Sequence, residues 1–217
     1  MNLICFPHYT CGGLLCDILN NTFSEIRDNG AIESIEHRLG KIGDTETVLV
    51  DYDTTMFQRH LEQLSVAKKD WIGTHCWPGQ LDLSTVDQVI VVSTATSRSR
   101  LYRWARSYFH YYVKSDPWVA VSGQCRIDKE RETAKNYLIP FAPVSQSNVI
   151  NIEFAEIVEC SVEFKKLIGN NHIDRHLERW KQINYFLYDP NFWHSTPVKR
   201  FYEAELETGL NTHYVYE

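Results

Sequence analysis

The sequence predicts an α/β fold of three layers, a mostly parallel sheet flanked by helices. Three observations predict it. Short apolar or β-branched runs alternate with segments of helical period, the pattern of strands joined by crossover helices. The strongest run, VDQVIVV at 86–92, ends in four consecutive apolar residues, as in a parallel strand covered on both faces. The 217 residues, 43% of them hydrophobic and 23% charged, suffice to bury a full core without disulfide or metal staples.

The chain opens on an apolar run at 2–6, expected as a buried strand, followed by a loop over 7–13. Leu14, Leu15, Ile18 and Leu19 then recur at helical spacing, so the order is strand, glycine-containing loop, helix. Residues 24–43 are polar and punctuated by Gly30, Gly40 and Gly43. A second strand is expected at 47–50, ending in Asp51-Tyr52-Asp53, then a helix over 55–69 carrying Met56, Leu61, Leu64 and Ala67. A short strand at 70–74 leads into a loop at 75–79.

After the strand at 86–92, the small polar stretch 93–97 precedes a strongly amphipathic helix. Leu101, Trp104, Ala105, Tyr108 and Tyr112 form its apolar face, Arg100, Arg103 and Arg106 lie off that face, and Pro117 marks its end. Residues 122–147 hold a charged segment at 128–135 and a loop with Pro140 and Pro143. A strand at 148–152 and one helix running to Leu167, capped at Gly169, follow. A further helix over 172–187 sets Ile173, Leu177 and Trp180 on one side, and the tail after Asp189 is mixed and aromatic. No repeat is present, and one domain over 1–217 is expected.

Composition narrows the function classes. Lys plus Arg number 22 against 28 Asp plus Glu, a formal charge of −6, which disfavours binding nucleic acid through the overall field. No stretch of 18 apolar residues exists, so no membrane span is expected. The apolar N-terminus lacks a basic start and is interrupted by Pro7 and Gly12-Gly13, a poor match to a signal peptide. The cysteines at 5, 11, 16, 76, 125 and 160 form no C-x-x-C pair and no finger-spaced Cys/His set. They read as reduced thiols of a cytoplasmic chain, with no metal expected.

Three segments carry candidate chemistry. The loop Phe6-Pro7-His8-Tyr9-Thr10-Cys11-Gly12-Gly13 lies between a strand and a helix, where backbone N–H groups and the helix dipole favour an anion. It is neither a Walker A loop nor G-x-G-x-x-G, and a tight turn without ligand explains the same residues. The segment 93–106 places arginines at 98, 100, 103 and 106 after the central strand, interleaved with hydroxyls; a solvated basic face is the commoner fate of such a run, but the negative overall charge and the crowding at one strand end favour a phosphate group. Third, Gly73-Thr74-His75-Cys76-Trp77-Pro78 holds a histidine able to accept a hydroxyl proton, although a lone histidine is more often structural. Two weaker features stand beside these. Asp51-Tyr52-Asp53 has the D-x-D form that holds Mg²⁺ or Mn²⁺ on a diphosphate, a pattern frequent by chance. His172 and His176 have i, i+4 ligand spacing without a third ligand.

The order of these pieces resembles the P-loop sulfotransferase family. The loop at 6–13 stands where that family has a Tyr-Pro-Lys-Ser-Gly-Thr-Thr loop cradling the 5′-phosphosulfate of 3′-phosphoadenosine-5′-phosphosulfate. Residues 73–78 are similar to its Lys-Thr-His-Leu-Pro motif, with one residue inserted before the Pro. Val89–Val92, Arg98, Arg100 and Ser107-Tyr108-Phe109-His110-Tyr111 resemble its strand, arginine and Ser-Tyr-Tyr-His-Phe helix. Residues 149–153 and Phe164-Lys165-Lys166-Leu167-Ile168-Gly169 are similar to its later strand and its Phe-Leu-Gly ending. The resemblance covers roughly residues 1–170, and 171–217 read as a helical, aromatic extension. His8 stands in the place of the family's lysine, and the C-terminal Arg-Lys-Gly loop is absent, with Lys199-Arg200 the nearest substitute.

The resemblance implies transfer of a sulfuryl group from that nucleotide donor to a hydroxyl of a small molecule or sugar. His75 would be the base. Backbone amides over Tyr9, Thr10, Cys11, Gly12 and Gly13, with Thr10 and His8, would meet the leaving phosphate, and Arg98 or Arg100 with Ser107 would hold the 3′-phosphate. Two other readings stay open: a metal-dependent glycosyltransferase using Asp51 and Asp53, and a catalytically inactive nucleotide-binding or assembly module.

Overall fold

The structure, a computed structural model, describes residues 2–10, 12–21, 71–76, 78–84, 86–109, 135, 137–169 and 173–209. The expected strand at 47–50, the helix at 55–69, the D-x-D aspartates, Cys11, Cys125, Tyr112, Pro117 and His172 lie outside these residues.

Four parallel strands form one sheet in the order β2-β1-β3-β4. They are β1 (Asn2–Cys5), β2 (Trp71–Thr74), β3 (Gln88–Ser93) and β4 (Val149–Glu153). The register runs Leu3↔Ile72 on one side of β1 and Leu3↔Val89 on the other, with Val91↔Asn151 between β3 and β4. The first strand of the sequence is therefore central, and it pairs directly with the VIVV run. Val89, Ile90, Val91 and Val92 are fully buried, as consecutive β-branched residues require when both faces are covered.

The two-residue period of a strand divides the core. Ile4, Ile90, Val92 and Ile152 face one cluster, and Leu3, Cys5, Val89 and Val91 face another. The first face carries the α-helices of the described residues. These are α1 (Gly12–Leu19), α2 (Ser97–Tyr108), α3 (Phe154–Val158), α4 (Val162–Ile168), α5 (Ile173–Ile183), α6 (Pro190–Trp193) and α7 (Thr196–Glu207). Leu15, Trp104, Phe154, Trp180 and Phe201 lock them together, each less than 2% exposed. On the second face Ile72 of β2 joins these strand residues, and the described residues that pack over them include Cys76, Leu81, Leu83, Val86, Phe141 and Val144. Asn20, at the end of α1, binds the start of β2 in both directions: its Nδ2 donates to the Trp71 carbonyl and its Oδ1 accepts from the Trp71 N–H, each at 3.0 Å.

The structure corrects two local expectations and defines the helices of the tail. The single helix to Leu167 is two, because Cys160 adopts a left-handed φ of 55°. Ser161 then restarts the helix by accepting from the Phe164 N–H at 3.1 Å. The helix at 172–187 stops at Ile183, and a 3₁₀ turn follows at Tyr185–Tyr188. The mixed tail contains α6 and α7, each opened by a cap residue and a proline in the first turn, Asp189-Pro190 and Ser195-Thr196-Pro197. Gly169 does cap α4, at φ 64°.

Candidate active site at the carboxyl edge of the sheet

β1 and β2 end side by side, and the Phe6 N–H extends their ladder to the Thr74 carbonyl at 3.0 Å. Beyond this point the β1 chain turns. The Thr10 N–H and the Thr10 hydroxyl both donate to the Pro7 carbonyl, at 3.3 and 2.6 Å, and Tyr9 takes a φ of 62°. The helix α1 begins at Gly12, over which the Phe6 ring lies so closely that a Cβ there would meet it at 2.1 Å.

His75 follows β2 directly. Its Nδ1 is 2.7 Å from the Phe6 carbonyl oxygen. A carbonyl only accepts, so in the neutral ring Nδ1 carries the proton and the lone pair lies on Nε2. The Phe6 ring meets His75 edge-on at 4.5 Å, and the His8 ring lies 3.9 Å from it at 39°. Burial, and then the nearby Arg103 guanidinium, push the His8 imidazole below its ordinary pKa. The turn thus brings two histidines into ring contact at the ends of adjacent strands, beside a helix N-terminus.

Two arginines of α2 hold that turn from behind. Arg103 Nε donates to the His8 carbonyl at 3.0 Å, and its guanidinium lies 4.9 Å from the Tyr137 ring centre. Arg106 Nη1 donates to the carbonyls of Tyr9, at 2.8 Å, and Thr10. Its Nε donates to Asn184 Oδ1 at 2.8 Å, and it stacks on Trp180 at 4.5 Å. Their roles were not legible in the sequence beyond their charge. The available signal was their spacing of three, which sets two helical residues on one face.

The other expected phosphate ligands have internal partners. Arg100, expected off the apolar face, is 4% exposed and correspondingly paired: its Nη2 and Nε donate to Glu205 Oε1 at 2.7 and 3.2 Å, and its Nη1 to the Ala95 carbonyl. Ser107 is fully buried and donates to the Tyr137 hydroxyl at 2.7 Å. Arg98 is paired with Glu159 at 2.5 Å, but its side chain is 56% exposed. It borders an open cavity of about 250 Å³ lined by Leu101, Tyr102, Trp193 and Tyr202.

The polar stretch after β3 wraps a carboxylate that sequence reading did not single out. Glu153, at the end of β4, accepts from the Ser93 hydroxyl, from the N–H groups of Ala95 and Thr96 at 3.2 Å, and from the Thr96 hydroxyl at 2.9 Å. Burial alone would raise its pKa, but these donors outweigh burial and hold the carboxyl below its ordinary value. The structure therefore gathers His8, Tyr9, Thr10, Gly12, Gly13 and His75 at one place and gives Arg98, Arg100 and Ser107 to other neighbours. His176 is buried in α5. Among the described residues, no group of three or more His, Cys, Asp or Glu is arranged to hold a metal ion, and no helix is long and apolar enough to cross a membrane.

Comparison with known proteins gives no match for this chain among family models, curated proteins or solved structures.

Proposed function

We propose that the chain is a sulfotransferase-like enzyme that moves a sulfuryl group from 3′-phosphoadenosine-5′-phosphosulfate to a hydroxyl acceptor, with His75 as general base. The observation that carries this reading is the bond from His75 Nδ1 to the Phe6 carbonyl. It leaves the basic lone pair on Nε2 of a ring fixed at the carboxyl edge of a parallel sheet, where α/β folds bind their ligands. The acceptor oxygen attacks sulfur, its proton passes to His75 Nε2, and the S–O bond to the phosphate breaks, releasing adenosine 3′,5′-bisphosphate.

The leaving phosphate would meet the N-terminal amides of α1 at Gly12 and Gly13. Thr10 contributes less than the resemblance implies, because its amide and hydroxyl protons both go to Pro7. For the 3′-phosphate, Arg98 is better supported than Arg100. An exposed ion pair is worth about 0–1 kcal/mol, so a phosphate can displace Glu159, and the adjoining cavity has room for it. Breaking the buried Arg100–Glu205 pair costs far more.

The test is His75→Ala with calorimetric binding of adenosine 3′,5′-bisphosphate. Turnover should fall about 10²–10⁴-fold with the nucleotide Kd nearly unchanged. A second reading, an inactive binding or assembly module, is favoured by the internal closure of Arg100 and Ser107. Nucleotide binding without sulfuryl transfer to any hydroxyl acceptor would move it to first place.

A further inference from the structure

Arg103 and Arg106 both direct guanidinium N–H groups at backbone carbonyls. Together they donate to three successive residues of the β1–α1 turn, through the carbonyls of His8, Tyr9 and Thr10. This turn includes Tyr9 at φ 62°, a left-handed conformation that a bulky residue keeps only when its surroundings hold it there. The surroundings are specific. Tyr137 packs edge-on against the Tyr9 ring at 5.9 Å, lies under Arg103, and receives the Ser107 hydroxyl proton. Trp180 and Asn184, from α5 and its end, fix Arg106 from the other side.

We propose that Arg103 and Arg106 are positioning residues of the His8–His75 site, fixing the turn so that the His8 ring lies against His75. The inference rests on the reading of His75 as the base. It assigns a role to α5, which lies beyond the stretch that carries the family resemblance, because Asn184 and Trp180 aim the guanidinium that aims the turn. It also separates the four arginines of α2 into two sets. Arg98 and Arg100 face carboxylates, whereas Arg103 and Arg106 face carbonyls. A lysine cannot replace Arg106 here: a single ammonium on a flexible stem does not span Tyr9, Thr10 and Asn184 at once while stacking on an indole.

The test is the histidine ring-proton NMR spectrum of the full chain, assigned with His8→Ala and His75→Ala. In the wild type, His8 and His75 should each show a ring-current displacement, part of which is lost when the other ring is removed and part of which stays with Phe6 beside His75 and Tyr9 beside His8. In Arg106→Ala both displacements should shrink towards random-coil positions, and turnover should fall about a hundredfold, the scale of an ångström-sized misplacement. Arg106→Lys should not restore either. Wild-type displacements in folded Arg106→Ala would overturn the proposal. Should that variant fail to fold, Arg103→Gln removes the anchor on the His8 carbonyl, together with the Tyr137 contact and the charge beside the His8 ring. The part of the His75 displacement that depends on the His8 ring should then shrink, and an unchanged His75 displacement overturns the proposal in the same way. Displacements that respond as described in a protein that transfers no sulfuryl group would sink the reaction and leave the positioning standing.

Discussion

Phe6 and Gly12 are one packing unit, because the ring occupies the space in which any other residue at 12 would put its Cβ. Gly12→Ala must push the ring away, and with it the edge contact to His75. Overpacking of this kind costs about 1–3 kcal/mol, so the variant should lose several degrees in Tm. Phe6→Leu in the same chain should restore part of the loss, and strictly additive effects of the two changes would show that they do not touch. His8 makes a second prediction. Its native pKa lies below the ordinary 6.5, so the unfolded chain binds this proton more readily than the native one. Stability is then complete above about pH 6.5 and declines as pH falls from 6.5 towards the native pKa. His8→Gln should flatten that part of the profile in urea unfolding followed between pH 7.5 and 5, and an unaltered slope would assign it to other groups. Both residues could be picked out in the sequence, Gly12 as a loop glycine and His8 as the residue in the lysine place. What the sequence left open was their contacts: nothing local to either residue announces the Phe6 ring or His75, which is 67 positions beyond His8.

The helix α2 shows how far periodicity carries. It correctly assigned Leu101, Trp104, Ala105 and Tyr108 to the core, because a stripe at i, i+3, i+4 and i+7 has one buried side. It misplaced Arg100, because burial of a charge depends on a partner, and that partner is Glu205, at the far end of the chain. The pair joins α2 to α7, and Ser97 adds a hydroxyl to the other carboxylate oxygen at 2.5 Å. Both side chains are 5% exposed or less, so removing one leaves a buried charge without compensation. Glu205→Ala should cost about 3–5 kcal/mol, read from the midpoint of chemical denaturation. The double variant Arg100→Met with Glu205→Leu should be much milder, since apolar groups of similar size fill the space without desolvating a charge. A double variant as unstable as Glu205→Ala would mean that the two helices need the pair for more than neutrality. The break at Cys160 was hidden for a related reason: a single left-handed residue interrupts a helix without disturbing its apolar pattern, and Ser161 was the only local sign of a restart.

At the scale of the molecule, the parallel sheet and the alternation of strand and helix were legible because each depends on local period, and the strongest strand was the easiest to see. The strand order was not, since pairing of β1 with both β2 and β3 is decided by which neighbours complete the two faces, not by any residue within Asn2–Cys5. Least legible was the weight of residues 171–217, which looked like an extension because the family resemblance fades near 170. The core shows otherwise. Leu177, Trp180, Phe186, Leu187, Val198 and Phe201 lie in the same cluster as Ile4 and Ile90 of the sheet, all of them at most 9% exposed. Full burial of such a side chain contributes about 1.5–3 kcal/mol relative to exposure, so these six together outweigh or match a net domain stability of about 5–15 kcal/mol. Arg106 adds a polar tie from α5 to the turn that bears His8. A chain ended after Gly169 should therefore lose cooperative folding altogether, with no sharp thermal transition, strong binding of a hydrophobic dye, and no ring contact between His8 and His75 by NMR. If residues 1–169 alone unfold in one sharp transition with those histidine signals intact, the C-terminal helices are an accessory layer, and the link proposed between α5 and the site is lost with them.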